Sequence, residues 1–183
     1  MTDDIIITQT NNWIKSVVTG CNFCPFAAKA MLKKSIHYVV LRDATLKSIL
    51  ETVVLELQRL DTNESIETTL IILPDNFNDF SAYLDMIDIA EQLMSKEKYN
   101  GIYQLASFHP EYVFADAVAN DAANYTNRSI YPMLHILREE SITKALENFK
   151  DPEKIPERNI DFARQKGLEY MEMLRIACMG NQT

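Results

Sequence analysis

Thr68-Thr-Leu-Ile-Ile-Leu73 is the stretch whose reading decides the fold, and Pro74 stops it. Its residues are β-branched or apolar on both faces, and proline has no N–H to extend a ladder. A strand with no polar side has to be covered on both sides, as in α/β sheets. Just upstream, Leu46, Ile49, Leu50, Val53, Leu57 and Leu60 recur at helical spacing, which predicts a helix over 45–60. Upstream again, Ile36 to Leu41 (IHYVVL) reads as a strand. Downstream, Asp79 is a candidate N-cap for a helix carrying Phe80, Tyr83, Leu84, Ile87, Ala90 and Met94, and Ile102 to Phe108 is the next strand. The order β-α-β-α-β calls for parallel strands joined by right-handed crossovers.

The flanks complete the plan. Ile5 to Val18 reads as a helix ended by Gly20, and Cys24-Pro25 opens a second helix over Phe26 to Lys34, proline being suited to the first turn. Met133 to Leu137 reads as a fourth strand followed by a helix capped at Ser141. A helix running straight on to Glu147 is its competitor. A long helix from Pro152 to Cys178 closes the chain, with Ile160, Ala163, Leu168, Met171 and Leu174 facing the core. No repeat or composition break divides residues 1–183. The expected fold is therefore a single α/β domain: a small mixed, mostly parallel four-stranded sheet (β-α-β-α-β-β) covered by helices, with helices at both ends.

Composition narrows the function classes. A net charge of −8 repels phosphate backbones, so nucleic acid is not an expected partner. No apolar run reaches the ~20 residues that a membrane helix needs. The start, MTDDIIITQT, lacks the basic region of a signal peptide, so a cytoplasmic location is expected. The 3 cysteines are an odd count and do not suggest a disulfide framework. There is no Gly-rich phosphate loop, no G-x-S-x-G and no H-E-x-x-H, which argues against nucleotide kinases, Rossmann oxidoreductases, α/β-hydrolases and zincins.

Reactive side chains gather between Ser107 and Glu139: His109, Asp116, Asp121, Asn124, Asn127, Arg128, Tyr131, His135 and Arg138. Ligands of open α/β sheets bind beyond the carboxyl ends of the strands. His109 follows the third strand directly, Arg42-Asp43 follows the first and Asp75-Asn76 the second. If the fourth strand runs antiparallel to the third, Tyr131 joins the same rim, with Asn127 and Arg128 close to His109. Cys24, in the first turn of a helix, is either a nucleophile or a small packing residue. As a nucleophile it would have a pKa below the free-thiol value of about 8.5. Cys21-Asn-Phe-Cys24 has the spacing of a dithiol pair, but it follows a helix rather than a strand. His135, among apolar neighbours, reads as a half-buried orienting residue or a core histidine.

Three segments match a known pattern: Asn22 to Ala27 (NFCPFA), Gln104 to Tyr112 (QLASFHPEY) and Asn124 to Glu139 (NYTNRSIYPMLHILRE). Together they resemble the family called domain of unknown function 1415. Cys21, Ile130 and Met133 depart from that pattern, and its polar positions are intact. The family carries no established activity, so the resemblance marks positions and names no reaction.

The leading expectation is a small-molecule enzyme acting on an anionic substrate. His109 would transfer protons, Cys24 would be the nucleophile, and His135 would orient. Asn124, Asn127, Arg128, Tyr131 and Arg138 would hold the substrate. One alternative is a metal-binding protein with His109, His135 and Cys24 or Asp121 as ligands. Another is a non-enzymatic structural or protein-interaction module. The sequence leaves the cofactor unknown.

Overall fold

The computed structural model describes residues 1–147 and 149–180. The central strand, β2 (Thr68–Ile72), is buried at every position. It pairs in parallel with β1 (Ile36–Val40), Ile36 opposite Thr68. On its other side lies β4 (Met133–Arg138), antiparallel, with Leu70 opposite His135. β3 (Tyr103–Phe108) pairs antiparallel with β4 and forms the edge. The order is β1-β2-β4-β3.

The expected mixed four-stranded sheet is present, with a smaller parallel share than a run of crossovers suggests. β1, β2 and β3 do point the same way, but β4 is inserted between β2 and β3, so only the β1–β2 pair is parallel. The reason is burial. β4 has apolar side chains on both faces, and four of its six residues are buried. β3 carries Gln104 and Ser107 and is only half-buried. The more apolar strand takes the centre, where two neighbours cover its edges.

Helices cover both faces. On one, α3 (Leu46–Thr62) and α4 (Phe80–Lys96) press Ile49, Val53, Leu57, Tyr83 and Ala90 onto Ile71, Leu134 and Ile136. Each buried Ile, Val or Leu among them contributes roughly 1.5–3 kcal/mol by leaving water. The helix starts follow the local chemistry. The Thr45 hydroxyl accepts the Ser48 N–H in a capping box, and the Asp79 carboxylate accepts the Ala82 N–H at 2.8 Å. On the other face, α1 (Asp3–Trp13), α2 (Pro25–Leu32), α6 (Ile155–Lys166) and α7 (Leu168–Ala177) enclose a second core. Trp13, Val17, Ala163 and Met171 meet Leu70, Ile72 and Met133 there. Among the described residues, no helix is long and apolar enough to cross a membrane.

Three local expectations change. The first helix does not stop at Val18 but widens into a π-helical turn, Ile14–Thr19, closed by Gly20 N–H to Lys15 O at 2.9 Å. Gly20 has an ordinary helical φ of −64°, and glycine is required there for space: a Cβ would stand 2.3 Å from Ser16 O. The helix after β4, α5 (Glu139–Leu146), starts at once without a side-chain cap. Ser141 lies inside it and donates to Glu67 Oε2 at 2.7 Å. The expected helix from Pro152 to Cys178 is two helices, because Gly167 at φ +85° cannot continue a right-handed one. Ala163 and Met171 keep their core places, while Leu168 is 37% exposed.

Candidate functional site

After the first and second strands Arg42 and Asp75 meet, and the polar groups expected on the strand-end rim are engaged with partners inside the fold. Arg42 pairs with Asp3 at 2.9 Å and with Asp75 at 3.3 Å. His109 is 1% exposed and packs against Phe80 and Tyr83, with ring centroids 5.1 and 4.9 Å away. The Glu111 N–H donates to its Nδ1 at 3.0 Å, so the proton sits on Nε2, which donates to Phe77 O at 2.9 Å. Burial pushes its pKa down. The imidazole therefore stays neutral and holds Phe77, whose φ of +60° is costly for a bulky residue. The Tyr131 hydroxyl bonds Gln9 of α1.

The other predicted anchors are also occupied. Asn124 is fully buried, and its amide spans Phe114 N–H at 3.1 Å and Val118 O at 2.9 Å. Arg128 donates to Tyr112 O at 3.0 Å and Ala119 O at 2.7 Å, closing the long 109–131 connection. Arg138 lies at the far end of β4, bonding Leu60 O, Ile66 O and the Tyr103 hydroxyl. It satisfies carbonyls in the last turn of α3 and in the loop beyond it, a common use for a basic side chain. Asp121 accepts the Ala123 N–H and pairs with Arg164 at 2.7 Å, which holds its carboxyl below the usual range. Among the described residues, no three His, Cys, Asp or Glu side chains converge in a group able to hold a metal.

Two of the predicted residues do share a cavity. Between α2, the π-helical turn and the sheet lies a space of about 230 Å³, lined by Cys24, His135, Thr68, Gln104 and otherwise apolar side chains. A neighbouring cavity of about 330 Å³ shares Val18, Cys24 and Phe108 with it, and Thr126, Asn127 and Asn159 add polar groups there. Cys24 thus stands where the two meet. It occupies the N-cap position of α2 without a side-chain capping hydrogen bond. Burial pushes its thiol pKa up, and the nearby Phe26 and Ala27 amides only partly offset this. Burial thus acts against the lowered thiol that a nucleophile would need, because desolvation outweighs the helix N-terminus.

His135 faces the same cavity from the sheet. The Thr68 hydroxyl donates to Ile136 O at 2.6 Å, so at the 2.6 Å contact between Thr68 Oγ1 and His135 Nε2 the ring is the donor. Nδ1 is then the unprotonated acceptor. Burial pushes the imidazole down to about 3, so it is neutral across the physiological range. Thr68 and Gln104 were missed from the sequence. Thr68 had a signal: a hydroxyl in a strand buried on both faces must find a partner. Gln104 had none, because nothing local says which way an edge strand turns its amide.

The fold and this site define a three-layer α/β protein with a neutral, mostly apolar cavity between its sheet and its N-terminal helices. The chain belongs to the family described as protein of unknown function (DUF1415), whose profile matches residues 5–173. No curated protein and no solved structure matches it.

Proposed function

We propose that the protein binds a small, neutral, largely apolar molecule in the cavity between α2 and the sheet, with Cys24 and His135 as its polar contacts. One observation carries this reading: a thiol and an imidazole, both held neutral, line the same cavity of about 230 Å³. A dry apolar cavity of about 150 Å³ takes a benzene-sized molecule, so a ring with substituents fits this one. An anion would have to leave water for a site with no cation in its lining. The cytoplasm, where thiols stay reduced, suits three free cysteines.

A catalytic version has support from the position of Cys24 at a helix N-terminus. Its sulfur would add to a carbonyl carbon of the bound molecule as the C=O π bond breaks, and the thiol proton would pass by way of His135 Nδ1 to the carbonyl oxygen, leaving a neutral hemithioketal. Burial favours the neutral form of both groups, so binding is the stronger reading.

The test is a panel of neutral ring-sized alcohols and ketones, read by melting temperature and by the rate at which N-ethylmaleimide labels Cys24. A ligand at a hundredfold excess over its Kd adds about 2.7 kcal/mol, which at this chain length raises Tm by about 5–11 °C. The same ligand should slow Cys24 labelling, and Ala106→Leu, which fills the cavity, should abolish both effects. If no compound raises Tm or protects Cys24, or if Ala106→Leu leaves both effects intact, the cavity is not the binding site.

A further inference from the structure

We propose that Arg128, which lies over the Tyr125 ring, and Arg175 form a second site that binds the oxyanion group of a small molecule, a carboxylate or a phosphate. Arg175 lies in the last turn of α7. Its Nη1 donates to Ser129 O at 2.7 Å, while its Nε is buried and unpaired among the described residues. Ser129 follows Arg128, whose guanidinium lies 5.0 Å over the Tyr125 ring. Tyr125 is only 4% exposed, and its phenol is within Coulombic reach of Arg175.

The charge arrangement is what needs an explanation. Arg42, Arg59 and Arg164 each pair with a carboxylate, while Arg138 and Arg158 pair with none and are held by carbonyl and side-chain oxygens. Among the described residues, neither Arg128 nor Arg175 has one at ion-pair distance, although the chain carries 26 acids. Glu172, one turn earlier on α7, acts on Arg175 only at longer range. Burial and the neighbouring Arg128 both disfavour the charge of Arg175. A buried guanidinium within Coulombic reach of a second one opposes folding unless something offsets its charge. An oxyanion between the two guanidiniums would do so, since the planar fork of arginine matches carboxylate and phosphate oxygens. Backbone carbonyls already fix Arg128 through Nε and Nη2, so it needs little further ordering to receive a ligand. Neither arginine lines the Cys24–His135 cavity, so this site stands or falls independently of it.

The experiment follows the arginine Nε–Hε signals of the ¹⁵N-labelled full chain during titration with inorganic phosphate, and separately with acetate, at constant ionic strength against sodium chloride. The expected result is a saturable shift of the Arg128 and Arg175 signals with at least one oxyanion and none with chloride. Which oxyanion binds more tightly then identifies the ligand's group. Arg175→Gln should weaken that binding by about tenfold or more. Signals that stay still, or that move equally with chloride, overturn the proposal, as does binding of unchanged affinity in a folded Arg175→Gln variant. If that variant does not fold, the wild-type titration decides by itself.

Discussion

His135 carries a measurable consequence of its burial. Its imidazole falls from an ordinary 6.5 in the unfolded chain to about 3 in the folded one. The unfolded state therefore takes up the proton first as pH drops. The stability held by the neutral ring is complete above pH 6.5 and is lost progressively as pH falls toward 3. Between pH 6.5 and about 4.5, above most carboxylate titrations, this loss is roughly 2 kcal/mol. His109, also pushed down by burial, adds a loss of the same sign. Urea unfolding at both pH values should show a decrease smaller by roughly 2 kcal/mol in His135→Gln, which keeps a donor for Thr68 and cannot titrate. An identical decrease in both proteins would mean that His135 is not buried as a neutral ring.

At the scale of elements, the π-helical turn is the feature that aims the chain from α1 into α2 and so brings Cys24 to the cavity. Gly20 permits it by its lack of a Cβ. At an ordinary helical φ, Gly→Ala would stabilise by about 0.4–1 kcal/mol through the unfolded state. Here the added Cβ would meet Ser16 O at 2.3 Å, a backbone atom that cannot rotate away. Gly20→Ala should therefore reverse the usual sign and destabilise by about 1–3 kcal/mol, lowering Tm by roughly 2–12 °C. A Tm that is unchanged or raised would show that the turn relaxes to a regular α-helix without loss. The β4 insertion follows the same logic of crowding and cover: the strand that can least tolerate water takes the centre of the sheet.

At the scale of the molecule, Trp13 is the single tryptophan and ties distant parts together. It is 1% exposed, packs edge-on to Phe108 of β3 at 5.1 Å, and donates its indole N–H to Arg128 O at 3.0 Å. It also lines the cavity. Its fluorescence should therefore report both global unfolding and occupation of that space. In urea, the fluorescence and far-UV circular dichroism transitions should coincide, as for one cooperative unit. A fluorescence transition well below the dichroism transition would show that the N-terminal helices detach from the sheet before it melts.

The sequence by itself determined the strands, most helix starts and the placing of polar groups along the rim, because these depend on neighbours within a few residues. Thr68 to Leu73 announced a central strand by having no polar side, and Asp79 announced its helix by its own carboxylate. Only the tertiary structure decided how those polar groups are used. His109, Asn124 and Arg138 read as a site because reactive side chains and structural clamps share the same chemistry. They differ in whether a backbone carbonyl or amide, often distant in the chain, reaches them first. Cys24 and His135 lie more than a hundred residues apart. The insertion of β4 between β2 and β3, with α2 packed across that face, puts both on one cavity, and no local pattern encodes that pairing. The direction of the thiol shift was equally hidden, since the helix N-terminus is visible in the sequence and the depth of burial that outweighs it is not.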